Sequence, residues 1–208
     1  MNKEDQLLYQ IALTMIPNVG PVLARILLSY CGSLEAIFRL KASQLEKIPD
    51  IGPVTARSIA RQKILHLAEV EMKNVLRKKL KVLFYLDDDF PNRLKQCNDA
   101  PILLYFKGNM DFNKHRYLGI VGTRKATDYG KYLSEKLVED CAGKDIVIVS
   151  GMAYGIDICA HKAALKFGLP TVGVMAHGLD RIYPPEHTEV ARDMTKDGGI
   201  LTEYPFNT

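Results

Sequence analysis

The sequence predicts an α/β chain in which a small all-helical region precedes a mostly parallel sheet. Three observations predict it. A turn motif repeats in the first third between apolar residues at helical spacing; short apolar strands alternate with helical stretches after residue 116; and glycine-bearing loops follow those strands.

The helical region comes first. Ile16-Pro17-Asn18-Val19-Gly20-Pro21 recurs 32 residues later as Ile48-Pro49-Asp50-Ile51-Gly52-Pro53, and Ala24-Arg25 recurs as Ala56-Arg57. Leu7, Ile11 and Leu13 precede the first copy at helical spacing, and Leu23, Ile26 and Leu27 follow it. Pro21 and Pro53 stand where a helix can begin, because the first helical turn does not need the missing N–H. The repeat resembles the helix-hairpin-helix module, a SAM-like unit whose turn offers backbone amides to a DNA phosphate. That family's turn carries two glycines, and here Asn18 and Asp50 replace the first of each pair. Both residue types tolerate the left-handed conformation, so the turn survives. DNA contact and simple helix packing are both open for this repeat, and Asp50 would repel a phosphate.

The basic run Arg77-Lys78-Lys79 marks the passage to strands, which divides the chain into a helical domain at 1–78 and a sheet domain at 79–208. Strands are expected at 81–85, 101–106, 117–122, 145–150, 170–175 and 199–203, with helices near 128–142, 156–167 and 186–196. The runs LGIVG, IVIVSG and TVGVMA are nearly all apolar, as in strands covered on both faces. The alternation predicts a Rossmann-like, doubly wound sheet whose ligands bind beyond the carboxyl ends of the strands. Three loops lie there: Gly122-Thr123-Arg124-Lys125, Ser150-Gly151-Met152-Ala153-Tyr154-Gly155, and Ala176-His177-Gly178-Leu179-Asp180. Small residues, amides at helix starts and two cations in the first loop suit an anion such as phosphate.

Composition narrows the function classes. Lys and Arg exceed Asp and Glu by 12 to 7 in residues 1–80 and number 16 against 17 thereafter, so the positive bias sits in the helical third. A basic face fits a polyanion, although a solvated face has the same composition. No apolar run approaches the roughly 18 residues of a membrane span, and the first ten residues turn polar too early for a secretory signal, so a cytoplasmic protein is expected. Cys31, Cys97, Cys141 and Cys159 are widely spaced without a CxxC pair, which predicts reduced thiols and no metal.

Specific blocks then resemble the DprA/Smf family of DNA-processing proteins. GTRKATDYG at 122–130, SGMAYGIDICAHKAAL at 150–165, GLDRIYP at 178–184 and LTEYP at 201–205 follow that family's ordered pattern. YLDDDFPNRLKQCNDAPILLYFKGN at 85–109 is similar to the segment the family places ahead of its sheet. The resemblance implies a binder of single-stranded DNA that protects incoming DNA and loads a RecA-type recombinase in natural transformation. It implies no catalysis and no cofactor, with homodimerisation as a further partner expectation. Carried over position by position, it implies a DNA pocket of Gly122, Thr123, Arg124, Lys125, Ser150, Gly151, Met152, Ala153 and Gly155. Arg124 offers a bidentate fork and Lys125 a point charge. The family continues past E-Y-P into an F-P-x-R-N-R segment, whereas this chain stops at Phe206-Asn207-Thr208, so a C-terminally incomplete sheet domain is expected.

Enzyme readings compete. A phosphoribohydrolase of related fold would carry P-G-G-x-G-T-x-x-E, and a dinucleotide enzyme G-x-G-x-x-G; neither occurs. Asp157 and His161 fall in the helix after the second loop, where capping and core packing are expected. His177 has no nucleophile partner nearby in sequence, and Glu203 no paired carboxylate. A mononucleotide held by the same loops is the remaining alternative.

Overall fold

The computed structural model describes residues 2–61 and 63–208. The chain forms two compact units, one through Leu103 and one from Leu104 to Thr208.

The first unit contains α1 (Lys3–Thr14), α2 (Pro21–Cys31), α3 (Leu34–Arg39), α4 (Ala42–Leu45), α5 (Pro53–Ala60) and α6 (Lys63–Arg77), then β1 (Lys81–Phe84) and α7 (Asn92–Lys95). Both copies of the repeat fold alike. Asn18 and Asp50 stand at φ 62° and 64°, the left-handed conformation their short polar side chains allow. Gly20 and Gly52 cap α2 and α5, each helix opens on its proline, and each glycine carbonyl accepts the amide of Ala24 or Ala56 at 3.0 Å. Those two alanines are buried, so the repeat builds the same close helix contact twice. Ile11, Leu13, Leu27, Ile37, Leu45 and Ile59 are fully buried around it. Each contributes on the order of 1.5–3 kcal/mol relative to exposure.

The repeat is less symmetric in its arginines. Arg25 is half-buried; its guanidinium donates to the carbonyls of Asn98 and Ala100 and lies 5.4 Å from the Tyr85 ring centroid. Arg57, its counterpart, is exposed.

The second unit runs β2 (Leu103–Gly108), β3 (Arg116–Gly119), α8 (Asp128–Glu139), β4 (Ile146–Ser150), α9 (Ile156–Lys166), β5 (Thr171–Val174), a 3-10 turn (Pro185–His187), α10 (Thr188–Met194) and β6 (Gly199–Thr202). Its strands are ordered β2-β6-β5-β4-β3. The last four in that order pair in parallel, with Tyr117 opposite Val147, Val149 opposite Val172 and Gly173 opposite Ile200. β2 runs antiparallel to β6, with Tyr105 opposite Thr202. The sheet is therefore mostly parallel, as its apolar strands predict.

The doubly wound arrangement is not what forms. From β3 to β6 each strand lies beside its predecessor, always stepping the same way. Right-handed crossovers then put all three connecting helices on one face, and α8 packs on α9 and α9 on α10. The strand-helix alternation fixes parallel pairing but not the order of strands, which decides how many faces the helices cover. Small side chains make the helix layer close. Ala160 and Ala164 of α9 are fully buried with Val138 of α8 and Ile148 of β4.

Among the described residues all four cysteines are free thiols, and no helix is long and apolar enough to cross a membrane.

Candidate nucleic-acid interface

The two glycine loops beyond β3 and β4 are locked to each other. A Cβ at Gly122 would stand 2.6 Å from Cγ1 of Ile156, the first residue of α9. At Gly155, φ is +81° and a Cβ would strike the Thr123 carbonyl oxygen and come within 2.8 Å of Arg124 Cα. A side chain at Gly155 would displace backbone, and one at Gly122 would displace the branched side chain of Ile156 at its root. The close approach lets the Ile156 amide donate to the Thr123 carbonyl at 3.2 Å. Within the first loop the Lys125 amide donates to Thr123 Oγ1 at 3.2 Å, and Thr127 caps α8 by accepting the Gly130 amide at 3.1 Å. Thr123, Arg124 and Lys125 are left exposed on a rigid turn. Among the described residues neither cation has an acidic partner.

Two histidines hold the second loop from beneath. His161 is fully buried, its Nε2 2.7 Å from the Gly151 carbonyl and its Nδ1 2.7 Å from Thr171 Oγ1. A carbonyl only accepts, so Nε2 carries the proton. The Thr171 hydroxyl then has one proton for two acceptors, Nδ1 and the Ile148 carbonyl at 2.9 Å. Burial pushes the His161 pKa down from 6.5 to about 4, so the ring is neutral near pH 7. His187, from the turn before α10, donates through Nδ1 to the Met152 carbonyl at 2.7 Å. Tyr154 packs edge-on against that imidazole, centroids 5.2 Å apart, and its hydroxyl donates to Glu186 at 3.1 Å. Loop 151–155 thus presents a fixed backbone, with the Met152 side chain buried over Gly173.

The loop after β5 closes the third side. Gly178 packs against the Pro205 carbonyl where a Cβ would not fit, and Asp180 accepts the Asn207 amide at 3.1 Å. The Tyr183-Pro184 bond is cis. Together the three loops enclose a cleft of about 210 Å³, bounded by Arg124, Gly151, Ala153, Tyr154, His177 and Tyr183 among others. His177 donates through Nδ1 to the Gly178 carbonyl at 2.8 Å.

Of the nine residues named from the sequence, Arg124, Gly151, Met152 and Ala153 line this cleft. Gly122, Thr123, Lys125 and Gly155 belong to its two loops without lining it. Ser150 lies behind, its hydroxyl buried and donating to the Ile120 carbonyl at 2.6 Å, where it joins the ends of β3 and β4. Tyr154, Tyr183, His177 and His187 were not among those nine. His187 reaches the loop from 35 residues away, and no spacing signal exposes such a contact. Asp157 and His161 are core residues, as their helical position suggests.

A second hollow, of about 310 Å³, lies at the opposite end of β5 between Pro170, Asp193 and Asp197. Lys196 pairs with Asp193 in its lining, which leaves Asp197 in excess and offers a polyanion no free cation among the described residues. Among the described residues no cluster of three or more His, Cys, Asp or Glu is placed to hold a metal ion.

A family model described as DNA recombination-mediator protein A matches residues 81–208, the stretch that contains all three loops. The chain belongs to that family. Residues 11–62 match a second model, the SAM-like helix-hairpin-helix tandem, which spans both copies of the repeat. The Smf protein of Synechocystis is 31% identical over 209 residues, covering 96% of this chain and 51% of its own. The DNA processing protein DprA of Bacillus subtilis is 42% identical over 120 residues, or 57% of this chain and 40% of that one. The chain therefore spans about half the length of such relatives, or less. Among solved structures, DprA from Streptococcus pneumoniae superposes with a TM-score of 0.77 at 27% identity, over 95% of this chain and 68% of the other. DprA from Helicobacter pylori, described by its single-stranded DNA binding mode, gives 0.54 at 31% identity over 62% and 57%.

Proposed function

We propose that this recombination-mediator family member binds single-stranded DNA in the cleft at the carboxyl ends of β3, β4 and β5. In this reading Arg124 and Lys125 hold phosphates, and the amides of the two glycine loops approach the backbone. The observation that carries it is the lock between those loops. Gly122 and Gly155 place Arg124, which has no acidic partner among the described residues, on a rigid turn beside a wall that includes Gly151, Ala153 and Ala176. The Helicobacter pylori relative, described by its single-stranded DNA binding mode, supports the same ligand.

The cleft is narrow and concave, which suits one strand better than a duplex. Tyr154 and Tyr183 supply rings for stacking, so contacts to phosphate and to base faces combine without reading sequence. His161 and His187 are both committed to loop carbonyls, which supports a binder over a catalyst. In the cell this binding protects incoming DNA and delivers it to a RecA-type recombinase during natural transformation, with the domain at 79–208 as the DNA-holding part. The mediator description of the matched family supports that delivery role.

The test is fluorescence anisotropy of a labelled oligothymidine, competed with the unlabelled strand, a blunt duplex at equal phosphate and free mononucleotides. The single strand should compete best and mononucleotides only weakly. Mononucleotides competing as well as the strand would favour the nucleotide-sensing alternative. Duplex competing equally would remove the strand preference.

A further inference from the structure

α8 and α9 both start at the loops that form the cleft, and they pack side by side. Their first turns meet, since a Cβ at Gly130 would lie 3.6 Å from Cδ1 of Ile156. Between them runs a groove of about 270 Å³ lined by Lys131, Glu135, Cys159, Lys162, Ala163 and Lys166. Three ammonium groups meet two carboxylates, Glu135 in the groove and Asp128 beside Lys131. Lys131 lies in the first turn of α8, and Lys166 closes α9, ten residues beyond its first residue. At 1.5 Å per residue the cations are spread over roughly 15 Å of helix.

The charges in this groove are available. Lys162 is exposed and has no ion pair among the described residues. Lys131 meets Asp128 at 3.0 Å and Lys166 meets Glu135 at 2.5 Å, but all four side chains are 45% or more exposed. Pairs of that kind contribute only about 0–1 kcal/mol, so a phosphate can replace the carboxylate. Lys136, on another part of α8, differs: two acids, Glu139 and Asp140, neutralise it at 2.9 and 3.3 Å. The groove keeps an excess of one cation, Lys162, beside two exposed pairs that a phosphate can open.

We propose that the α8–α9 groove extends the DNA track. Phosphates of a strand leaving the cleft run between the two helices on Lys131, Lys162 and Lys166. The proposal rests on the single-strand reading of the cleft and adds length to the site. Its ligand is a phosphodiester backbone rather than bases, because no aromatic ring lines the groove.

Cys159, half-buried in the groove, provides a probe that requires no mutation. Its alkylation by N-ethylmaleimide is followed by mass spectrometry, with exposed Cys97 of the first unit as reference. An oligothymidine of about 12 nucleotides should slow alkylation of Cys159 severalfold, and one of about 4 should not. The triple variant Lys131→Gln/Lys162→Gln/Lys166→Gln should bind the longer strand about tenfold more weakly and the shorter one as before. Its salt slope on the longer strand should fall by about 0.7 for each phosphate contact removed. Arg124→Ala should weaken both lengths. A triple variant that binds both lengths like the wild type, with Cys159 unprotected while Arg124→Ala remains weak, overturns the groove and leaves the cleft standing. If Arg124→Ala weakens neither length, the cleft reading fails and the groove falls with it.

Discussion

Replacing Gly155 by alanine puts a methyl group where the Thr123 carbonyl and the Arg124 backbone already are. Gly155 stands at φ 81° and ψ −124°, a region essentially restricted to glycine, so alanine there costs about 1–3 kcal/mol before any clash is counted. The collision forces the two loops apart and breaks the 3.2 Å bond from the Ile156 amide to the Thr123 carbonyl, worth about 0.5–1.5 kcal/mol. The expected destabilisation is about 2–4 kcal/mol. For a chain of this size that lowers the calorimetric midpoint of the affected transition by roughly 4–16 °C. Because the displaced backbone is that of Arg124, oligothymidine affinity should fall with stability, by about tenfold or more at a temperature where the variant is folded. Gly32→Ala is the matched control. Its φ is 71°, but open space surrounds the added methyl and it belongs to the helical unit. It should cost about 1 kcal/mol and leave DNA binding unchanged. A Gly155→Ala protein with wild-type midpoint and affinity would refute the idea that this glycine couples the two loops.

Other outcomes follow from the same geometry. The unfolded chain protonates His161 near pH 6.5, the folded chain only near pH 4, so the unfolded state gains the proton first as pH falls. Stability from this group should be complete above about pH 6.5 and decline by about 3 kcal/mol towards pH 4. His161→Gln should flatten that part of the pH profile in urea titrations, and an unchanged slope would exclude His161 as its source. His187→Ala leaves the buried Met152 carbonyl without its donor and should cost about 1–3 kcal/mol, with a weaker oligothymidine complex. Retained affinity in that variant would show that the loop needs no clamp from the turn before α10. Arg25→Ala should destabilise the helical unit by about 1–2 kcal/mol because Asn98 and Ala100 lose a charged donor, whereas Arg57→Ala should be neutral for stability. Equal midpoints for the two variants would contradict the asymmetry of the repeat.

Much of this fold can be read from the chain because local rules and tertiary context agree. Strands expected at 145–150, 170–175 and 199–203 form at 146–150, 171–174 and 199–202. The left-handed turns at Asn18 and Asp50 follow from residue type alone. β3 is shorter than its apolar run suggests: it ends at Gly119, it is an edge strand of the sheet, and Val121 beyond it is 79% exposed. Strand order was not legible, since composition is the same whether a crossover steps left or right. Nor was the antiparallel pairing of β2 with β6, a contact between residues almost a hundred positions apart. At the site, the glycines and cations announce the loops, but which side chains face the cleft depends on packing. Ser150 looks like a ligand in sequence and is a buried tie between strands. His187 has no motif around it that points to the loop, yet it fixes the carbonyl of Met152.

The most direct test of the account is an oligothymidine isotherm for the wild type and for Arg124→Ala, each measured at two salt concentrations. The arginine is exposed and has no acidic partner among the described residues, so its removal should leave the unfolding midpoint unchanged. Loss of a charged phosphate contact should weaken binding by about 1.5–3 kcal/mol. The slope of log K against log salt should become shallower by about 0.7. A folded Arg124→Ala protein with unchanged affinity and unchanged slope would contradict the claim that the cleft beyond β3, β4 and β5 holds the DNA backbone.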